Sequence, residues 1–480
     1  MAYTEFYIRP DDGSNLNPGD QTDGASPNVE DINGTWTAAT NVYTCAGTPT
    51  LTGYVDKFAA LYTTGATVAE WVAQITAVDN VLKTVTLHAT AGTGTRPAVD
   101  KVATGTLRIG GSWEGPNGAV TFPFSLATNG AATNAAGDTP RFNWQGDGST
   151  MDSDITAAVT IGSSGPLRIE GYGTTAGDGQ YPFILDGGTT NAVLLTVSGS
   201  NVDLVNGKIQ NNATGTSAAI VSSGGENYYS RIVASGVRGA GFSITGGSCI
   251  VEGCEAYTCN AANTAGIGGF IVTGATTSVT FIRCIAHDNA GSNSVGFLSS
   301  VTNSNVGCAF IDCIADTNGN DGFRTTAPSL TVFQGCTAYA NGADGLEIGN
   351  TSLGFFLVEN CLFISHAAGY GINGSGSAAR NGQVINCGFQ GNASGTTTGL
   401  KSMAETGSIN LPGDPFLNAG AGNFRLNLAA AKGVGRGTFT QTQAGYSGTL
   451  AYPDLGAVQS ASGSGGGIRS MFGISSPIAG

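Results

Sequence analysis

From Cys254 to Cys387 one short phrase recurs six times: VEGCEAYTC, FIRCIAHDN, FIDCIADTN, FQGCTAYAN, VENCLFISH and VINCGFQGN. Its cysteines are Cys254, Cys284, Cys313, Cys336, Cys361 and Cys387, in steps of 30, 29, 23, 25 and 26 residues. A repeat in this range, keeping its order while its length drifts, specifies a solenoid: each unit buries its apolar face only by stacking on the next. Downstream of the last five cysteines a glycine precedes an apolar residue, at Gly296-Phe297, Gly322-Phe323, Gly345-Leu346, Gly371-Ile372 and Gly399-Leu400. Each repeat therefore reads as two short alternating runs separated by a turn. Five residues after the cysteine stand Asn289, Asn318, Asn341 and Asn392, with Cys259 and His366 in the two remaining places. This column reads as an asparagine ladder, because a side-chain amide at a sharp bend can satisfy the turn and bond the amide stacked on it.

Short strands with Gly or Asn at the corners, in a period too short for long helices, predict an all-β chain built on a right-handed parallel β-helix. Each coil would rise by about 4.8 Å, the spacing of hydrogen-bonded strands. No leucine signature supports a leucine-rich repeat. Cysteines stacked at that spacing exceed the roughly 3.5–4.5 Å between Cβ atoms that a disulfide needs, so the six read as reduced and buried. Spacings such as Cys249 to Cys254 match no common zinc signature, and neither a metal nor a cofactor is expected.

With 76 Gly and 11% charged residues, against about 25% in ordinary domains, the chain is turn-rich and poor in helix formers. Its net charge of −14 opposes nucleic-acid binding, which needs clustered Lys and Arg. No apolar run approaches the ~20 residues of a membrane helix, and MAYTEFYIRPDDG lacks a secretory pattern. Synthesis in a host cytoplasm is the resulting expectation, with an extracellular protein as the alternative.

Five segments are expected. Residues 1–28 give an opening strand and a polar loop, and 29–115 a small antiparallel barrel or sandwich inserted after that strand. Residues 116–405 form the β-helix, 406–460 a closing segment, and 461–480 a Gly-rich linker with a docking arm carrying Ile468, Met471, Phe472 and Ile474. Within the inserted domain, Trp71, Ala73 and Ile75 share one face, as do Val81, Val85 and Leu87, and Asp79-Asn80 reads as a two-residue hairpin turn.

The opening strand with Asp12-Gly13-Ser14-Asn15, the closing phrases Asp414-Pro415-Phe416 and Asn423-Phe424-Arg425-Leu426, and the ladder between them resemble β-helix proteins of the pectate-lyase-like type. The whole resembles a β-helix protein of the bacteriophage virion, of the head-decoration, fibre or tailspike kind. That resemblance implies a structural and adhesive role on a virion, capsid or tail proteins as partners, a homotrimer, and a host surface polysaccharide as possible ligand.

For chemistry, Asp321 and Asp344 occupy matching N-G-x-D-G phrases on adjacent coils, with Glu347 on the following strand and Asp316 and Asp288 as further candidates. Two carboxyls about 5–9.5 Å apart could hydrolyse a glycosidic bond, which makes a glycan depolymerase the alternative reading. An Asp before Gly is also what a turn selects, its side chain capping nearby backbone amides. Tyr257, His287, Asp316 and Tyr339 form a second column, where aromatic faces and polar groups could hold a sugar.

Overall fold

In the computed structural model of the chain, the described residues are 3–8, 29–55, 58–63, 71–94, 96–109, 139–145, 159–162, 166–172, 182–187, 194–211, 217–264, 266–275, 277–289, 291–303, 307–326, 330–349, 354–374, 381–400 and 403–426. Among them the chain is all-β, with a single 3-10 turn at Ala419–Ala421 and no α-helix. The chain divides into two compact units. The docking-arm residues Ile468, Met471, Phe472 and Ile474 lie outside the described residues.

In the first unit, Tyr3–Ile8 pairs in parallel with Thr139–Gln145, which pairs in parallel with Leu167–Tyr172. Between those first two strands the chain makes a closed antiparallel barrel, ordered Val29–Thr37, Val42–Thr44, Thr84–Gly94, Trp71–Asp79, Phe58–Thr63, Lys101–Ile109. Its core holds Trp36 and Trp71, edge to face at 5.5 Å, with Ile75, Val85, Leu87 and Leu107 around them. Polar groups are buried there too. The Tyr43 hydroxyl donates to Asp31 Oδ2 at 2.9 Å, and Asp31 also accepts the Ala46 and Gly47 amides.

Val81 departs from the expected face. It is 89% exposed and Leu82 67%, because the hairpin is longer than two residues: Asp79 pairs with Thr84. Asp79 Oδ1 accepts the Val81 and Leu82 amides, and Lys83 adopts a left-handed φ of 54°. The carboxylate lifts both aliphatic side chains onto the turn and off the strand.

The second unit is a parallel β-solenoid; the chain has about eight turns in all. Each repeated coil has three strands where the sequence suggested two runs. Taking one coil, Ser278–Ile282 is a long strand, Ile285–His287 a short strand and Val295–Val301 a return strand. The cysteine phrase itself bends. Gly253, Arg283, Asp312, Gly335, Asn360 and Asn386, each immediately before a ladder cysteine, all take left-handed φ between 49° and 63°, which splits one apolar run in two. A second left-handed column follows at Thr258, Asp288, Thr317, Ala340, Ser365 and Gly391. Corners that would suit Gly or Asn are thus also occupied by Arg, Asp, Thr, Ala and Ser.

Registration is in step from coil to coil: Phe281 faces Phe310, and Phe310 faces Phe333. Inside, Phe242, Phe270, Phe297 and Phe323 stack from the return strands at 4.7, 4.9 and 5.0 Å between ring centres. A second stack, Phe281, Phe310 and Phe333, meets the first edge-on, with Phe297 and Phe310 5.7 Å apart. Aromatic pairs of this kind are worth about 0.5–1.5 kcal/mol beyond their burial.

All ten cysteines are free and buried. The thiols of Cys284, Cys336, Cys361 and Cys387 each donate to a carbonyl of the preceding coil, at Val251, Phe310, Phe333 and Val358. Burial pushes the thiols of Cys254, Cys313, Cys336 and Cys387 well above their ordinary range. They act as small apolar fillers with a satisfied S–H.

The asparagine column is hydrogen-bonded along its length. Asn289 Nδ2 donates to Asn318 Oδ1 at 2.7 Å, and Asn318 Nδ2 donates to Asn341 Oδ1 at 2.9 Å. His366 continues the column: its Nδ1 accepts the Asn341 amide at 3.3 Å, and its own amide donates to Asn392 Oδ1. Burial lowers the His366 pKa to about 3, so the ring is neutral with its proton on Nε2. The corner glycines make room for this column. A Cβ on Gly296 would stand 2.8 Å from Asn318 Nδ2, and one on Gly345 2.4 Å from His366 Nε2. Gly399 does not belong to the set, for it lies beyond the return strand Gly395–Thr398 with φ +61°.

Candidate functional site

The candidate carboxylates separate into two groups. Asp321 and Asp344 precede the return strands Phe323–Thr325 and Leu346–Ile348, which place Arg324 opposite Glu347. Asp316 and Asp288 lie elsewhere, at the ends of short strands around His287.

In the first group, Asp321 is 1% exposed. Its Oδ1 accepts the Asp344 amide at 3.0 Å. Asp344 in turn accepts the Tyr370 amide at 2.6 Å on Oδ1 and Asn373 Nδ2 at 2.7 Å on Oδ2. The two carboxylates thus cap the amides of the coil that follows, whereas a turn Asp was expected to cap amides of its own turn. The stacking of the corner glycines Gly322, Gly345 and Gly371 explains this, since each side chain reaches the amide that precedes the next coil's glycine. Arg324 bridges the remainder, with Nε 2.8 Å from Glu347 and Nη1 3.8 Å from Asp321. Burial first, and the Glu347 charge second, push the Asp321 carboxyl up to about 8, and burial also raises Asp344. Asp321 Oδ2 is buried without a hydrogen-bond partner, with Arg324 Nη1 3.8 Å away.

The second group lies on the outward side of the short strands. Tyr257, His287, Asp316 and Tyr339 occupy successive register positions, as expected of one column. Tyr257 and His287 stack at 5.1 Å between ring centres and 13° between planes. His287 is clamped by Glu255 through Nε2 at 2.7 Å and by Asp288 through Nδ1 at 2.8 Å. Burial opposes its charge, but the two carboxylates outweigh it and the pKa is raised. Burial lifts Asp316 to about 6.

Tyr339 is not available in the way the column suggested. Its ring meets the edges of Phe416 and Phe424 at 5.7 and 5.8 Å, and its hydroxyl donates to Asp414. The antiparallel pair Phe416–Asn418 and Asn423–Leu426 packs over this end of the short-strand sheet, burying Ile314, Leu362 and Ile364 with Leu411 and Leu426. The half-exposed column therefore reduces to Tyr257, His287 and Asp316 with the flanking Glu255 and Asp288.

Sequence reasoning passed over Glu255 and Arg324. Glu255 was findable: it stands one residue after its cysteine and His287 three after the next, positions that share the outward face of a strand. Arg324 gave no comparable signal, because its role depends on the Asp321 turn folding toward it. Among the described residues no group of three or more His, Cys, Asp or Glu could hold a metal ion, and no helix is long and apolar enough to cross a membrane.

No protein-family model matches the chain, and no curated protein matches it. Among solved structures it is similar to a pectate lyase at 16% identity, covering 71% of this chain and 92% of that one, with a TM-score of 0.49. It is similar to a rhamnogalacturonan lyase at 16% identity, covering 58% and 83%, with a TM-score of 0.46. A tailspike protein from Pseudomonas phage LKA1 matches at 11% identity over 81% of this chain and 64% of its own length, with a TM-score of 0.29. At these identities none of them carries an activity over to this chain.

Proposed function

We propose that this chain is a non-catalytic structural and adhesive protein of a phage virion, a decoration, fibre or spike whose solenoid is displayed as a homotrimer and contacts host surface glycan. The supporting observation is the state of the best carboxylate pair. Asp321 is inaccessible, and both Asp321 and Asp344 are taken up as acceptors for the next coil. A general acid must reach the glycosidic oxygen within hydrogen-bond distance, and a carboxyl sealed into the coil wall does not. The Tyr257, His287 and Asp316 column, half-exposed and flanked by carboxylates, offers ring edges and acceptors to sugar hydroxyls.

One feature favours a glycan depolymerase instead: Arg324 joins Asp321 and Glu347, and burial with the Glu347 charge raises the Asp321 carboxyl, so a raised acid stands near a second carboxylate as in glycoside hydrolysis. The test is a cleavage assay on host capsular and exopolysaccharides with the native chain and with Asp321→Asn and Asp344→Asn. The structural reading expects no cleavage from any of the three, and retained glycan binding by both variants. Cleavage by the native chain that disappears in Asp321→Asn would replace it with the depolymerase.

A further inference from the structure

The corner column runs Cys259, Asn289, Asn318, Asn341, His366 and Asn392, and its asparagines bond across coils in two ways. Oδ1 accepts the backbone amide of the preceding member: Asn289 from Cys259, Asn341 from Asn318 and Asn392 from His366. Nδ2 donates to a short-strand carbonyl: Asn318 to Ala286, Asn341 to Ala315 and Asn392 to Phe363. His366 keeps only the first kind. Its Nδ1 accepts the Asn341 amide at 3.3 Å, whereas Nε2 is buried without a hydrogen-bond partner, against Gly345. At this corner the His366 side chain thus holds its coil to the Asn341 coil by one bond, where the asparagines on either side supply at least two.

That bond exists only while the ring is neutral. A neutral imidazole accepts at one nitrogen, but an imidazolium donates at both. Protonation therefore sets the Nδ1 proton against the Asn341 N–H, and it places a charge where burial has removed water. The titratable groups on the elements packed against the ring are engaged elsewhere. Asp344 accepts the Tyr370 amide and Asn373, Glu347 pairs with Arg324, and the Tyr339 hydroxyl donates to Asp414. The thiols of Cys336, Cys361 and Cys387 donate to backbone carbonyls. The closing pair straddles the same joint, packing on Ile314 and Tyr339 on one side and on Leu362 and Ile364 on the other. It is the strap that remains when the column bond fails.

We infer that His366 is an acid-sensitive seam in the solenoid: when its ring takes a proton, the coils from Phe355 onward open locally while those up to Asn341 stay closed. The direction follows from which form binds the proton. In an opened coil the ring titrates near ~6.5, and in the closed coil, where burial alone lowers it, at about 3. Between those values the opened form carries the extra proton. The seam is at full strength above pH ~6.5 and weakens as pH falls toward about 3. The other two histidines do not act there in this sense. His88 lies in the barrel, and His287, clamped by Glu255 and Asp288, has a raised pKa and so favours its closed coil on protonation. Asp321, raised by burial, also favours the closed form in acid, so a global melt would mix opposing effects and the readout has to be local.

The test is hydrogen exchange of the full chain, read peptide by peptide by mass spectrometry from pH ~7.5 to ~4.5, with each rate divided by the intrinsic rate at that pH. Peptides between Phe355 and Thr398 should lose protection roughly a hundredfold over this range, about tenfold per pH unit below ~6.5. Peptides between Cys254 and Asn341 should keep theirs. In His366→Asn, which restores the residue found at Asn341 and Asn392, the acid loss should vanish. The seam is overturned if the later coils hold their protection in acid, if both sets of coils lose it together, or if the loss begins only near pH ~4, where a carboxylate titrates. An unchanged acid loss in His366→Asn overturns it as well. Should that variant not fold, the native map and its onset pH decide alone, because a loss setting in near ~6.5 within these coils has His366 as its source.

Discussion

The barrel and the solenoid bury polar groups in opposite ways. In the barrel the Tyr43 hydroxyl and Asp31 form one pair in one place, held by strands whose registers shift at irregular positions. In the solenoid Asn289, Asn318 and Asn341 form a column in which the Asn318 amide accepts from Asn289 and donates to Asn341. A single pair fails alone. A column shares its failure, since removing one member leaves an orphaned group on either side.

The sharpest test is therefore Asn318→Leu. It takes from Asn289 Nδ2 one of its two acceptors, leaves the Ala286 carbonyl without its Asn318 donor and forces a branched side chain against Gly296. We expect a loss of roughly 3–5 kcal/mol, read by urea denaturation of the solenoid signal. A loss below about 1 kcal/mol would mean that the column is decoration and the comparison false.

The next effect separates the two kinds of polar burial by pH. In the folded chain Asp321 keeps its proton up to about pH 8, whereas in the unfolded chain it loses it near pH ~3.9. The native state thus binds the extra proton between these values. The stabilisation from this group is fully present below pH ~4, declines as pH rises, and is gone above about pH 8. Its size is on the order of a few kcal/mol. Asp321→Asn retains an acceptor for the Asp344 amide and supplies a permanent donor toward Glu347, so it should flatten this slope and be the more stable form at pH 8.5. An unaltered slope in the variant would show that another group titrates there.

Against these, Tyr43→Phe in the barrel should cost only about 1–2 kcal/mol. Asp31 keeps the Ala46 and Gly47 amides after the hydroxyl is gone. The change should appear in the fluorescence of Trp36 and Trp71, which share that core, and leave the solenoid transition where it was. A loss as large as that of Asn318→Leu would erase the distinction between pair and column.

What the sequence disclosed follows the same division. Vertical repetition prints itself as columns, so the cysteine filler, the asparagine column and its continuation through His366 were readable from spacing alone. Features that depend on one turn were not. Val81 keeps the alternation of Val85 and Leu87, yet Asp79 capping the hairpin lifts it out; the pattern could not register a side-chain hydrogen bond two residues long. The carboxylates at Asp321 and Asp344 were visible as a repeated phrase, but whether they face solvent or the next coil depends on the stacking of backbones, which the phrase does not encode. Likewise the covering of Tyr339 by Phe416 and Phe424 joins segments far apart in sequence and left no periodic trace.

The corner columns hold the smallest and most specific effect. Ala340 adopts φ +47° at a position that Thr258, Asp288, Thr317 and Ser365 fill in other coils and Gly391 fills in one. An L-residue with a Cβ costs roughly 1–2 kcal/mol in this conformation, and glycine removes that strain at an entropic cost of about 0.4–1 kcal/mol in the unfolded chain. Ala340→Gly should then stabilise the solenoid by about 0.5–1 kcal/mol, although the same substitution in a regular strand destabilises. The sign is the informative part. A gain, measured by urea midpoint at unchanged m-value, would show that the coil imposes its corner on whatever residue arrives there. A loss would show instead that alanine's methyl group contributes packing worth more than the strain, and that the corner is chosen by its side chains after all.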